Sequence, residues 1–285
     1  MTASLTVLDA GPMTTVQDLG RRGFAHLGVP RSGALDAEAA GYANRLVGNS
    51  VDAAVLETTL GGVAVRVDGQ VSVAVTGAPA AVTVEGRPRP FAETFTVRRG
   101  ETVTVGPAQS GLRSYLAFSG GVDVPPVLGS RSTDTLSGLG PPRLTAGMSL
   151  PLGEPVGSPH GVDVPVVHGH PDSVRVRIVP GPRLDWFAED VLGLLSSATY
   201  TVSADSNRVG VRLEGAPLTR RENRELPREG LVLGAVQVPA SGQPLVFLND
   251  HPTTGGYPVV GVVAAEDLGM CAQLRPGSRL RFVPA

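Results

Sequence analysis

The sequence predicts a mainly β fold, a barrel or a sandwich of many short strands. Three observations predict it. The chain carries 37 glycines and 25 prolines, a density that suits short strands joined by turns. Runs with period-two alternation recur between them, such as residues 63–67 (VAVRV) and 71–76 (VSVAVT). Only two segments carry helical spacing.

Taken in order, the first of those segments spans 35–47, where Leu35, Ala39, Tyr42, Ala43, Leu46 and Val47 form one stripe. Ser32 is its expected cap and Gly48 its terminator. Asp68-Gly69-Gln70, between runs 63–67 and 71–76, predicts a hairpin. A strand at 81–84 meets a turn at Glu85-Gly86, and strands at 95–98 and 102–105 join through Arg99-Gly100. Further strands are expected at 115–118, 174–179 and 199–203. The second helix is expected over 183–195, with Leu184, Phe187, Val191, Leu194 and Leu195 on its apolar side and Trp186 in core or interface packing. Residues 138–169 are rich in Gly and Pro with little apolar periodicity. A domain junction near 150–170 follows, giving domains 1–160 and 161–285, each with one short helix.

Composition narrows the function. With 285 residues, 41% hydrophobic, the chain can bury a sizeable core. A net charge of −2 gives no reason to expect nucleic acid or an anionic membrane. Cys271 is the single cysteine, so no internal disulfide forms, and a buried inert thiol is expected. The N-terminal run MTASLTVLDAGPMT lacks the basic and long apolar regions of a signal peptide. No run reaches the roughly 18 apolar residues of a membrane helix. The expectation is a soluble, cytoplasmic protein. All 24 basic residues are arginine. A chain without lysine has no phosphate-loop lysine, no Schiff base and no biotinyl-lysine. Any anion is then held by arginine, backbone N–H groups or hydroxyls.

The densest chemistry lies in Leu248-Asn249-Asp250-His251-Pro252-Thr253-Thr254-Gly255-Gly256-Tyr257-Pro258, a polar loop between the strand-like runs 237–247 (bent by Pro239, Gly242 and Pro244) and 259–264. Asp250 is the candidate general base or orienting carboxylate. Thr253 and Thr254, with the N–H groups of Gly255 and Gly256, are candidates to hold an oxyanion, carboxylate or phosphate. Tyr257 is a donor or a core aromatic. The alternative is a hairpin loop whose Thr and Asp satisfy their own backbone. Gln237, inside an apolar run, is either a structural bridge or a substrate-amide contact, the latter preferred. Asn207 is a candidate donor to a carbonyl or oxyanion, Arg208 can fork onto a carboxylate, and Arg212 can share its side of an extended strand; the alternative, favoured by the residues alone, is a surface strand with solvated arginines. In the first half, Asp18, Arg21, Asp36 and Arg131 are candidate binding residues, although Asp36 falls in a first helical turn where a carboxylate is favoured anyway. The loops Ser119-Gly120-Gly121 and Ser130-Arg131-Ser132-Thr133 suit an anion or a partner interface. No metal is expected. Only His168 and His170 lie close in sequence, and no cysteine or acidic cluster completes a zinc set. The G-x-S-x-G elbow of a serine hydrolase is missing too.

Four blocks carry a resemblance: residues 15–36 (TVQDLGRRGFAHLGVPRSGALD), 113–133 (RSYLAFSGGVDVPPVLGSRST), 203–215 (SADSNRVGVRLEG) and 234–263 (GAVQVPASGQPLVFLNDHPTTGGYPVVGVV). In this order, over nearly the whole chain, they resemble the allophanate hydrolase subunit 2 family. That family is also called the KipA or PxpC family and belongs to the biotin-dependent carboxyltransferase-like group. The resemblance implies two cyclophilin-like β-barrel domains. It also implies a subunit of an ATP-dependent 5-oxoprolinase, acting with a KipI- or PxpB-like subunit 1 and a PxpA-like subunit to open 5-oxoproline to glutamate. ATP would serve the complex, with no covalent biotin on this chain. In that reading Arg208 holds the substrate carboxylate and Asp250 moves or orients a proton. Asn207, Gln237 and the backbone from Thr253 to Gly256 steady a carbonyl or phosphorylated oxygen. Two alternatives go with the resemblance: a carboxyltransferase component of urea carboxylase or allophanate hydrolase type, and a KipA-like regulatory protein that antagonises KipI.

Overall fold

A computed structural model describes residues 3–160, 169–187, 190–221, 224 and 226–285. It is mainly β and divides into two compact units. The first takes in Ser32–Asp134 with the described residues up to Arg21 and from Gly138 to His170. The second takes in Arg22–Arg31, Thr135–Ser137 and the described residues from Pro171 on. The division is therefore not a single cut, since two short segments from the first half of the chain pack with the second unit. The junction expected near 150–170 falls partly on residues 161–168, outside the described residues.

In the first unit the strands are β1 (Ser4–Ala10), β2 (Met13–Gln17), β3 (Val55–Thr59), β4 (Val63–Val67), β5 (Val71–Gly77), β6 (Ala80–Val84), β7 (Arg87–Arg89), β8 (Thr94–Val97), β9 (Thr102–Ala108), β10 (Arg113–Phe118) and β11 (Ser149–Pro151). They form two sheets, β11-β1-β4-β9-β6-β7 and β2-β3-β10-β5-β8. Alternating valines such as Val63, Val65 and Val67 on one sheet and Val71, Val73 and Val75 on the other meet in one core. Each such side chain contributes about 1.5–3 kcal/mol when fully buried. The second sheet is buried on both faces, because Tyr115, Ala117 and Ala74 pack against Ala40, Ala43 and Leu46 of α1 (Ala37–Leu46). That explains why β10 is buried at every position.

One expected hairpin fails here. β4 and β5 flank Asp68-Gly69-Gln70 but belong to different sheets, and β8 and β9, joined through Arg99-Gly100 as expected, also lie in different sheets. Both strands of each pair present valines to the same core, so the turn carries the chain from sheet to sheet rather than back along its neighbour. The Glu85-Gly86 turn does close a hairpin, with φ +49° and +71° and Val84 opposite Arg87. Helix α1 begins later than expected. Its cap is Asp36, whose carboxylate accepts from the Ala39 N–H at 3.0 Å. Ser32 instead donates to the Thr133 carbonyl at 2.8 Å.

In the second unit the strands are β12 (Ser173–Pro180), β13 (Tyr200–Val202), β14 (Gly210–Glu214), β15 (Glu229–Gly230), β16 (Ala235–Gln237), β17 (Leu245–Phe247), β18 (Thr254–Gly255), β19 (Val259–Val263) and β20 (Arg279–Pro284). Seven close a barrel in the order β12-β19-β16-β17-β14-β13-β20, and β15 pairs with β18 in a separate ribbon. The buried residues of β12 (Val174, Val176, Ile178) and β20 (Leu280, Phe282) alternate with exposed arginines. Tyr200 meets Phe282 edge-on with ring centroids 6.0 Å apart.

The bent strand expected over 237–247 is two strands, β16 and β17, paired antiparallel. Pro239 and Pro244 lack the N–H a continuous ladder needs. The helix expected over 183–195 is interrupted as well. Leu184–Trp186 form a 3₁₀ turn, Phe187 is extended, and α2 (Val191–Ser197) starts from Asp190, which caps Gly193. Trp186 is buried, as expected. A further short helix, α3 (Leu268–Ala272), lacks a clear apolar stripe in the sequence. It carries Cys271, which is fully buried, and burial pushes its thiol up to about 12. Native protein at pH 8 should therefore resist iodoacetamide and react only once unfolded, as mass spectrometry of the alkylated chain would show. Among the described residues no helix is long and apolar enough to cross a membrane.

Candidate functional site

The β14–β17 ladder explains why Arg208 and Asp250 meet. Gly210 sits opposite Phe247, and the pairing continues beyond the strand ends. The Leu248 N–H donates to the Val209 carbonyl at 2.9 Å, and the Asp250 N–H to the Arg208 carbonyl at 3.2 Å. Register alone thus sets two residues 42 positions apart side by side. Arg208 Nε donates to Asp250 Oδ2 at 2.9 Å and Nη2 to Oδ1 at 3.0 Å, a two-bond fork. Thr135 adds its N–H at 3.0 Å and its hydroxyl at 2.7 Å, both to Oδ2. Both charged side chains are 0% exposed. Burial pushes the Asp250 carboxyl up, but the Arg208 charge and the bonds from Arg208 and Thr135 outweigh it and hold the group below its ordinary value.

Arg208 does fork onto a carboxylate, and in this structure that carboxylate is Asp250. Of the two roles expected for Asp250, general base or orienting carboxylate, the enclosed geometry fits the orienting one, with Arg208 and Thr135 as its partners. Arg212 is exposed on β14, the solvated surface arginine that the residues alone favour. Asn207 is also exposed, and its carbonyl oxygen accepts the Val209 N–H at 2.8 Å, a local turn contact.

The rest of the loop is built in a similar way. Gln237 donates from Nε2 to the Tyr257 carbonyl at 3.0 Å, so it bridges β16 to the loop, the structural one of its two expected roles. Thr254 and Gly255 form β18, pairing with Gly230 and Glu229. The Thr253 and Gly256 carbonyls accept from Leu231 and Leu226, each at 2.9 Å. Neither Gly255 nor Gly256 has positive φ. A Cβ on Gly255 would lie 2.6 Å from Gln237 Nε2 and 2.8 Å from Leu231 Cδ1, which is why glycine stands there. Tyr257 is partly buried, with the Arg220 guanidinium 5.9 Å from its ring centroid.

Two further groups bear on the loop, one within it and one from far earlier in the chain, and neither has a role expected from the sequence. His251, the residue after Asp250, is 7% exposed. Its Nδ1 lies 2.7 Å from the Pro252 carbonyl and must be the donor, which leaves Nε2 as the acceptor of the neutral ring. Burial, reinforced by the charge of Arg31, holds the imidazole below its ordinary value against the opposing pull of Pro252 and Asp250. Arg31 is half-buried, and burial together with the like charge of Arg22 lowers its own value. Sequence offers little signal for this meeting, since Arg22 and Arg31 precede the loop they join by most of the chain.

The first-half candidates form a separate cluster within the first unit. Asp18 accepts from Ser130 Oγ and Ser132 Oγ at 2.6 Å each, from the Arg131 N–H at 2.6 Å and from the Gly20 N–H at 2.7 Å. The Arg131 guanidinium donates to the Val124 carbonyl and to Asp123. Arg21 is buried and donates to the Ser132 carbonyl at 2.5 Å. These side chains tie one loop to another, while Asp36 caps α1. A buried node lies nearby in the chain. Glu57 accepts from the Leu35 N–H and the Tyr115 hydroxyl, each at 2.9 Å, with Arg113 Nε 3.6 Å away. Burial, with Glu57 and Asp36, keeps the Tyr115 phenol well above its ordinary value. Among the described residues no three His, Cys, Asp or Glu side chains group as metal ligands. His168 lies outside the described residues, and His170 Nε2 is 3.4 Å from the Gly77 carbonyl.

A mainly β chain with a closed barrel and this loop architecture has a known class. Residues 27–284 match the family model described as "Carboxyltransferase domain, subdomain A and B", and the chain belongs to that family. Within it, the chain is 38% identical to a 5-oxoprolinase subunit of Escherichia coli (strain K12), over 98% of this chain and 90% of that protein. Among solved structures, it superposes on TTHA0988 with a TM-score of 0.89 at 37% identity, over 99% of this chain and 56% of that one. On the K. lactis urea amidolyase the TM-score is 0.92 at 30% identity, over 99% of this chain but 19% of that one.

Proposed function

We propose that this chain is a subunit of an ATP-dependent 5-oxoprolinase. It would work with a KipI- or PxpB-like subunit 1 and a PxpA-like subunit to hydrolyse the lactam of 5-oxoproline to glutamate. The observation that carries the reading is the near end-to-end match to a 5-oxoprolinase subunit, which aligns over 90% of that protein's length. In the second unit the Asp250–Arg208–Thr135 cluster serves as a buried frame for the residues around it. His251, with a neutral ring and Nε2 as its acceptor, is the group beside that frame suited to receive a proton near neutral pH. ATP belongs to the complex in this reading. The N-terminus of α1 already receives the Asp36 carboxylate, which disfavours a phosphate there, and the chain offers no lysine.

A second reading has its own support. The same fold recurs within the K. lactis urea amidolyase, which favours a carboxyl-transfer role on urea if the first reading fails. The test is co-expression of this chain with its subunit 1 and PxpA-like neighbours, following ATP-dependent glutamate formation from 5-oxoproline. Glutamate should form with all three and vanish when this chain is omitted. A stable complex without turnover on 5-oxoproline sinks the reading, and turnover of urea with a carboxybiotin donor would replace it.

A further inference from the structure

A costly feature left unexplained is Arg31. Its Nε is buried and lacks a hydrogen-bond partner. Among the described residues, none gives this guanidinium an ion pair, whereas Arg208, Arg183, Arg177, Arg131 and Arg99 each hold a carboxylate. A buried donor left unmade costs about 1–3 kcal/mol, more when charged. The surroundings raise that cost further. Arg22 adds a like charge, and the neighbouring ring of His251 is neutral at pH 7. Asp250 offers no compensation, because its oxygens are taken by Arg208 and Thr135.

The chain goes out of its way to build this arrangement. Residues on either side, up to Arg21 and from Ser32, belong to the first unit, but Arg22–Arg31 belongs to the second. The excursion is shaped by a 3₁₀ turn at Ala25–Leu27, closed by Gly28 at φ +75°, and by the Val29 N–H donating to the Phe24 carbonyl at 3.3 Å. It delivers Arg31 to His251, with Arg22 close to Arg31. A comparison with Arg220 sharpens the point. Arg220 also has unpaired nitrogens, but its charge lies over the Trp186 and Tyr257 rings and it donates to the Arg224 carbonyl. For Arg31 no such ring or carbonyl is present among the described residues.

We propose that Arg31, with Arg22 beside it and His251 facing it, is the binding site for a small carboxylate, the role that Arg208 cannot fill because Asp250 occupies it. This rests on the reading above in one respect only: it names the carboxylate as that of 5-oxoproline. Arg31 would present its two Nη nitrogens to the two carboxylate oxygens in a fork, its Nε being closed off by the surrounding protein. The lactam attached to that carboxylate then lies within reach of the neutral imidazole.

The test uses the full chain, alone and in complex with its co-expressed partners, and compares Arg31→Gln with the unsubstituted protein. The probes are 5-oxoproline, its neutral amide, acetate and inorganic phosphate, followed by calorimetric titration and by thermal unfolding. Arg31→Gln should weaken 5-oxoproline at least roughly 10-fold, the loss of about one charge-assisted fork, while leaving the neutral amide unchanged. The ligand-free Tm should stay level or rise, because the substitution removes an uncompensated charge; a structural arginine would lower it. Acetate binding that depends on Arg31, in the absence of 5-oxoproline binding, keeps the site and overturns only the substrate. Binding of 5-oxoproline unaltered by Arg31→Gln, or a lowered Tm with no anion dependent on Arg31, overturns the site whatever the turnover assay shows.

Discussion

Replacing Asp250 with asparagine is expected to destabilise the second unit by about 3–5 kcal/mol, because it leaves a buried guanidinium without its charge partner. Arg208 is fully enclosed and makes both of its fork bonds to that one carboxylate. Asparagine can keep one acceptor oxygen but not the charge, and Thr135 loses part of its anchor. Denaturant unfolding of the purified chain measures the loss. A change below about 1 kcal/mol, the range of exposed pairs, would mean that water reaches the pair. Replacing both residues with apolar ones should cost less than Asp250→Asn alone, since breaking a buried pair is worse than removing it. The same assay separates frame from chemistry. A stable Asp250→Asn protein that assembles normally but turns nothing over would restore a catalytic role to the carboxylate.

The same pair sets a direction for pH. The folded value of Asp250 lies below its unfolded value of about 3.9. The unfolded chain therefore binds the proton more readily, and the stabilisation is complete above that unfolded value. It is lost as pH falls below about 4 and through the depressed folded value. In the Asp250→Asn protein this part of the acid transition should be missing.

Much of the architecture is legible in the chain, and the failures share a cause. Alternating valines and turn residues reveal strands because burial on one face has period two. They do not reveal partners. The Asp68-Gly69 turn looks like a hairpin locally, and only the shared core of the two sheets decides that β4 and β5 part. The polar loop at 248–258 is recognisable as the place where unusual side chains gather, and Arg208 and Asp250 both stand out by residue type. Their pairing is hidden, because it depends on the register of β14 against β17. Asp18 and Arg131 are ambiguous for a related reason. A buried polar group must find partners whether or not a ligand exists, and in this chain loop-to-loop bonds meet that need. Arg31 inverts the lesson. It lies within the block at 15–36 with nothing in its local sequence to mark it, and it stands out only when each arginine in the fold is asked where its charge goes.

Changing Gly120 to alanine should be among the most damaging single substitutions in the first unit. Gly120 has φ +88°, and an added Cβ would lie 1.9 Å from the Gly153 carbonyl oxygen and 2.5 Å from its carbon. Both are backbone atoms, so no side chain can swing aside. The left-handed conformation alone costs about 1–2 kcal/mol for a residue with a Cβ, and overpacking typically adds about 1–3 kcal/mol. Gly129 supplies the control. Its φ is +78° but nothing lies within 4 Å of its Cβ position, so Gly129→Ala should show only the conformational part. The difference between the two unfolding midpoints isolates the close approach. It also decides what Ser119-Gly120-Gly121 is for. The Ser119 hydroxyl accepts from the Ser72 N–H, and the Gly120 N–H donates to Asn49 Oδ1 at 2.8 Å, which leaves that amide no capacity for an anion. If Gly120→Ala and Gly129→Ala cost the same, the contact with Gly153 is not rigid and the loop is freer than its bonds imply. If Gly120→Ala is the costlier by about 1–3 kcal/mol, the glycines are there to let two stretches of backbone pass, and the anion-holding reading of this loop falls.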